Sequence, residues 1–224
     1  MTKVDFDHYA SEYERLASSQ TRLFDADSGY FARYKIELMQ RVSGLDRGAI
    51  LDFGCGIGRS FPHLRALFPH AEIVGCDPSA ESLAVARSEC PDGMFAAPQD
   101  ISPESRFDLI VASCVFHHIE PGKRMEALDY CLNRLKTGGR LFIFEHNPYN
   151  PVTRHLVNTC PFDADAVLLT RAETVSLLKA VGLEPAAAAY CLFFPQMLAA
   201  LRPLETSLGW LPLGGQYFVA GRKG

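Results

Sequence analysis

Leu51-Asp52-Phe53-Gly54-Cys55-Gly56-Ile57-Gly58 is the stretch on which the reading of this chain turns. An apolar run, Ala49 to Phe53, reads as a strand and gives way to glycines at alternate positions. Glycine reaches backbone angles closed to other residues, and without a Cβ it lets a ligand lie against the main chain. Phe61, Leu64, Leu67 and Phe68 then fall at helical spacing, so the turn opens a helix. A strand, a glycine turn and a helix start form a nucleotide-type pocket, with free helix N–H groups aimed at an anionic group.

The dinucleotide fingerprint G-x-G-x-x-G needs a glycine three residues after the second one, and Arg59 stands there. The chain also lacks a Tyr-x-x-x-Lys proton relay, which counts against a nicotinamide oxidoreductase. A second acid supports a nucleoside ligand. Glu72 to Cys76 reads as the next strand and Asp77 closes it, at about the distance where such folds place a carboxylate for the ribose hydroxyls.

Elsewhere the elements alternate. Tyr9, Tyr13 and Leu16, then Phe31, Tyr34, Leu38 and Val42, form two amphipathic stretches ending at Gly44. Phe107 to Ala112 is a continuous apolar run of the kind found in buried parallel strands. A helix is expected from Lys123 to Lys136, stopped by Gly138-Gly139, with a strand from Arg140 to Glu145. Thr170 and Glu173 form a capping box for a helix ending at Gly182. Ala186 to Phe194 and Tyr217 to Gly221 read as closing strands. Such βαβ alternation predicts a doubly wound α/β sheet in one domain, 1–224, opened by a helical cap, 1–44.

Composition bounds the function. A net charge of −4 argues against a nucleic-acid partner. No run of 18 apolar residues predicts a membrane span. The opening residues are too polar for a signal peptide, so a cytoplasmic protein is expected. The seven cysteines form no C-x-x-C pair, and no metal site is expected in this chain.

Gly54-x-Gly56-x-Gly58 preceded by Asp52 resembles motif I of the class I S-adenosylmethionine (SAM) methyltransferases. Phe6-Asp7-x-Tyr9-Ala10-x-x-Tyr13, Gln99-Asp100-Ile101, Phe107 through Phe116-His117-His118-Ile119, and Leu135-Lys136-x-Gly138-Gly139-x-Leu141 match further segments of that family in order. The likeness spans roughly Phe6 to Arg222 and is nearest to the small-molecule type of ubiquinone and menaquinone biosynthesis. It implies a Rossmann-like, mostly parallel seven-stranded sheet with the last strand antiparallel, and SAM as cofactor. It further implies that Tyr9 and Tyr13 close over SAM, that Asp52 faces its ammonium group, and that Asp77 takes the ribose diol. Gly54, Cys55, Gly56, Gly58 and Pro78 would cradle it, Asp100 and Ile101 would meet the adenine, and Ser113 and His118 would complete the wall.

Methyl transfer from a sulfonium is an in-line displacement that needs mainly alignment and exclusion of water. An oxygen or nitrogen acceptor must also lose a proton, which invites a base. His117 and His118, after the fourth strand, and His146, after the fifth, are the candidates, with plain packing roles as the alternative. Residues 147–169 make a long connection, expected to be a substrate lid. Within it Asn147, Tyr149 and Arg154 are substrate candidates, although Arg154 could instead pair with Asp163 or Asp165. Asn147-Pro148-Tyr149 is similar to the N-P-P-Y motif of DNA amino-methyltransferases, but it lacks one proline and follows the wrong strand. The expectation is O-methylation of a small-molecule acceptor by a monomer or homodimer. N- or C-methylation, a protein or RNA substrate, and a non-catalytic SAM-binding module are the alternatives.

Overall fold

The computed structural model describes Val4, Asp7 and residues 29–224. Tyr9, Tyr13 and the expected opening helix lie outside them. Of the segment 1–44, α1 (Tyr30–Ser43) is a helix that ends in Gly44 at φ +64°, the left-handed C-cap glycine favours. Among the described residues no helix is long and apolar enough to cross a membrane.

The chain then alternates as its pattern predicts. β1 (Ala49–Phe53), α2 (Phe61–Leu67), β2 (Glu72–Cys76), α3 (Ala80–Glu89) and β3 (Met94–Ala96) come first. β4 (Phe107–Ser113), α4 (Arg124–Arg134) and β5 (Leu135–His146) follow. α5 (Pro151–Thr159), α6 (Arg171–Ala180), β6 (Glu184–Cys191), α7 (Glu205–Leu208) and β7 (Gln216–Arg222) complete the domain. The strands form a seven-stranded sheet in the order β3-β2-β1-β4-β5-β7-β6. β7 runs antiparallel to both of its neighbours, and the other pairs are parallel. β3, the one strand the periodicity does not announce, has only three residues at the sheet edge.

Strand alternation divides the core. Leu109 and Val111 of β4 pack on one face with Ile36 and Met39 of α1, Leu64 of α2 and Leu83 of α3. Ile110 and Ala112 pack on the other with Leu128 of α4 and Leu178 of α6. Each face of a doubly wound sheet must bury its apolar side chains, which is why β4 is apolar without interruption.

Two expectations are corrected. The helix expected to run to Lys136 stops at Arg134, and β5 begins at Leu135, paired with Phe107. The Lys223 Nζ takes the carbonyls of Leu132 and Leu135, placing a cation at the helix C-terminus. Gly138-Gly139 therefore lies inside the strand. A Cβ on Gly139 would stand 2.8 Å from the Lys136 carbonyl oxygen and 3.1 Å from that of Phe107. In addition, the connection 147–169 is not plain loop. It contains α5, whose N-cap Asn150 accepts from the N–H groups of Val152 and Thr153.

Gly139→Ala should cost about 1–3 kcal/mol, because backbone rather than a movable side chain meets the new methyl; urea denaturation at constant m-value checks it.

Candidate active site

The carboxyl ends of β1, β2, β4 and β5 converge on one crevice, as the doubly wound topology dictates. At the end of β1 the chain turns through Gly54, whose N–H, like that of Cys55, donates to the Cys76 carbonyl at 2.8 and 3.0 Å. A Cβ on Gly54 would meet the Val115 side chain at 2.5 Å, while the same atom on Gly56 would project into open space. The turn is thus closed behind and bare in front. Gly56 N–H donates to Asp77 Oδ2 at 2.8 Å and Ser79 N–H to Asp77 Oδ1 at 2.9 Å, so one carboxylate fastens the end of β2 to the turn. Ser79 Oγ in turn donates to Asp7.

Asp52 is 3 % exposed and its Oδ2 has no hydrogen-bond partner. Burial, then the charge of Asp77, pushes its carboxyl up to about 7, against the pull of Lys35. Lys35, on α1, is itself buried, and its ammonium donates to Ser113 Oγ at 2.8 Å and Cys114 Sγ at 3.3 Å. Burial alone would raise the Cys114 thiol, but Lys35 and His146 hold it down at about 6. Cys114 also has φ +59°, an angle that few non-glycine residues adopt.

Beyond Cys114 the wall is built on Glu145, wholly buried at the end of β5. Its Oε1 accepts from the N–H groups of Val115 and Phe116 at 3.0 and 2.7 Å, and its Oε2 meets His117 Nδ1 at 2.5 Å. Burial opposes a charge on the His117 ring, yet Glu145 and Asp163 raise it to about 10. Burial, partly offset by Asp163, keeps the His118 ring below its ordinary value. Asp163 Oδ1 lies 3.6 Å from His117 Nε2 and 3.3 Å from His118 Nε2, and the two imidazoles hold that carboxyl well below its usual range although burial works the other way. Val167 N–H donates to the His117 carbonyl, and the Arg124 guanidinium links the carbonyls of Phe116, Ile119 and Val167. These bonds dock residues 161–167 against the histidine turn.

Both halves open on a single cavity of about 1210 Å³. Asp52, Gly54, Cys55, Gly56, Asp77 and Pro78 line its cofactor-like end. Ser113, His117, His118 and His146 line the other. Residues 51–141 match the family model described as "Methyltransferase domain". This segment is similar to a methyltransferase domain, and the sheet that holds it has the Rossmann-like fold of the SAM-dependent methyltransferases.

The match extends to whole proteins. An "Uncharacterized methyltransferase" of Alkaliphilus oremlandii is 28 % identical over 168 residues, which cover 68 % of this chain and 71 % of that protein. A trans-aconitate 2-methyltransferase of Escherichia coli is 40 % identical over 84 residues, covering 37 % of this chain and only 33 % of the relative. A SAM-dependent methyltransferase of Thermotoga maritima shares the fold, with a TM-score of 0.71 at 19 % identity and 98 % of each chain covered. These likenesses support a SAM-dependent methyltransferase; they do not single out the quinone-biosynthesis type.

Six of the methyltransferase's expected contact residues do not reach the cavity. Gly58 packs instead under α3, where a Cβ would lie 3.2 Å from that of Ala86. Asp100 is turned outward by the short helical turn Pro98–Asp100, and it and Ile101 face a separate cavity of about 640 Å³; Pro98 takes their place. The amide of Asn147 is consumed by the carbonyls of Pro212 and Gly214 and the N–H of Tyr149. Tyr149 is 60 % exposed, and Arg154 lies on the exposed side of α5. Conversely, Lys35, Cys114 and Asp163 line the cavity without having been singled out from the sequence as ligand contacts.

Glu145→Gln removes the buried countercharge of His117. It should cost about 3 kcal/mol in chemical denaturation, with loss of protection at the amides of Val115 and Phe116 in hydrogen exchange.

Proposed function

We propose that the enzyme transfers the methyl group of SAM to an oxygen atom of a small-molecule acceptor held in the same cavity. What carries this reading is that the glycine turn and the histidine–aspartate wall bound one chamber. At about 1210 Å³ it exceeds the roughly 300–1,000 Å³ usual for one ligand, leaving room for a cofactor and a modest acceptor. The relative named for trans-aconitate, a small molecule, agrees with that size class.

The residues present fit SAM. Asp52 Oδ2, buried without a partner, suits an ammonium group, whose charge would also offset the burial that pushes this carboxyl up. Gly56 offers a bare cradle against which an adenosyl group can lie. Asp77 spends one bond per oxygen on the backbone and so keeps acceptor capacity on each for a ribose diol. When bound, SAM supplies the electrophilic methyl on a sulfonium. The chain's part is to align and to exclude water. Phe31, Phe53, Phe162 and Phe193 provide apolar wall. The histidine–aspartate wall faces the acceptor side, where an oxygen nucleophile must shed its proton.

The test is turnover with SAM carrying a ¹³C methyl group, offered to panels of hydroxyl, carboxyl, amine and carbon acceptors. An O-methyl resonance with stoichiometric S-adenosylhomocysteine supports the reading. Label on nitrogen or carbon, or no SAM binding at millimolar concentration, overturns it.

Asp52 gives a signed pH prediction. Its folded carboxyl is raised to about 7, so the apo fold favours the protonated form and loses stability as pH rises from about 4 to 7. The loss from this group is at most about 1.4 kcal/mol per pH unit. Asp52→Asn should flatten that slope, raise apo stability at pH 8, and weaken SAM binding about tenfold. Thermal melts across pH, with calorimetry, read both.

A further inference from the structure

We propose that His117 Nε2, His118 Nε2 and Asp163 Oδ1 hold a divalent transition-metal ion in the wall of the acceptor chamber, with open positions for an acceptor oxygen. Bound metal stands on the geometry alone; its use in catalysis rests on the methyltransfer reading above.

The three donor atoms lie within 4.8 Å of one another. The two separations to Asp163 are 3.6 and 3.3 Å. Ligands at 2.0–2.1 Å from a tetrahedral ion sit about 3.3 Å apart, so these edges are those of a metal polyhedron. The 3.6 Å separation from His117 is long for a hydrogen bond, whose mode is about 2.9 Å. Indeed His117 Nε2, on a residue only 1 % exposed, has no hydrogen-bond partner while it points at that carboxylate.

The far sides of the rings support the same conclusion. Metal-bound histidines usually turn their other ring nitrogen to a carboxylate or carbonyl, which fixes tautomer and orientation. Here His117 Nδ1 meets Glu145 Oε2 at 2.5 Å, and His118 Nδ1 faces Asp165 Oδ1 at 3.8 Å. Asp165 is anchored through Oδ2 by the N–H of Val4. Three carboxylates, Glu145, Asp163 and Asp165, thus converge on two imidazoles in a largely buried wall, an arrangement that a dication balances. Arg124, the neighbouring cation, is committed to main-chain carbonyls. Two imidazoles and one carboxylate suit Zn(II), Fe(II) or Co(II) and leave coordination sites vacant. The acceptor class this favours is one with a carboxylate or hydroxyl oxygen able to ligate the ion. Sequence spacing alone misses the site because the third ligand lies some 45 residues on and arrives by the docking of residues 161–167.

The experiment is a titration of chelator-stripped full chain with Co(II), followed by visible absorption, with SAM calorimetry run in parallel. The expected result is one equivalent bound, with d–d bands and no near-ultraviolet thiolate charge-transfer band. Asp163→Asn and His118→Gln, each checked for a native circular-dichroism melt, should weaken binding at least tenfold. Glu145→Gln, a positioning change, should weaken it 10- to 100-fold. No saturable Co(II) binding, a thiolate band, or binding unchanged in Asp163→Asn overturns the proposal. Failure of SAM to bind would sink the cofactor reading while leaving the metal result intact.

Discussion

The buried carboxylate of Glu145 organises the histidine end of the cavity. It is fully enclosed, yet each oxygen is matched: two backbone N–H groups from the turn after β4 and one imidazole nitrogen. A buried charge is tolerated only when it is so satisfied. Because the acceptors of these bonds belong to β5 and the donors to the turn after β4, the carboxylate fixes how that turn leaves the sheet. The orientation of His117, the position of His118 and the docking of residues 161–167 all follow from that exit angle.

The other end of the crevice is held differently. Backbone donors of the glycine turn are shared between the Cys76 carbonyl and Asp77, and the turn needs no side chains of its own. What the cavity shows in common at both ends is incomplete polar matching. Asp52 Oδ2, His117 Nε2, Asp165 Oδ1 and Gln216 Oε1 are buried without hydrogen-bond partners, and all four residues line this cavity. An orphaned buried polar atom costs about 1–3 kcal/mol. Their concentration in one place marks where the fold trades stability for the capacity to bind.

Much of this was legible in the sequence because the signals are local. The turn 54–58, the acid at 77, the capping box at Thr170 and the apolar β4 each declare themselves within a few residues. Lys35 carries a subtler signal: with Phe31 four residues before it and Met39 four after, it stands on the apolar stripe of α1. Glu145 carried a parallel one, an acid at the end of an apolar strand, as Asp52 is. Asp163 and Asp165 could be read only as an acidic patch, since their meaning arises from docking onto residues 117 and 118. The substrate candidates 147, 149 and 154 stay off the cavity for a related reason: the helix α5 that follows turns Arg154 outward, and the amide of Asn147 is spent on holding the loop at 212–214.

The place of β7 in the sheet has a consequence for biogenesis. Residues 216–222 come after every other strand of the sheet in sequence, yet they fill the slot between β5 and β6. Until they dock, the outer edge of β5 is a row of unpaired backbone groups, and the strand that carries Glu145 is a sheet edge open to other nascent chains. Non-local closure of this kind is slow. The histidine wall is therefore completed only once β7 is in place, and removing that strand would leave a chain with most of its hydrophobic interior but an open β5 edge beside the cavity.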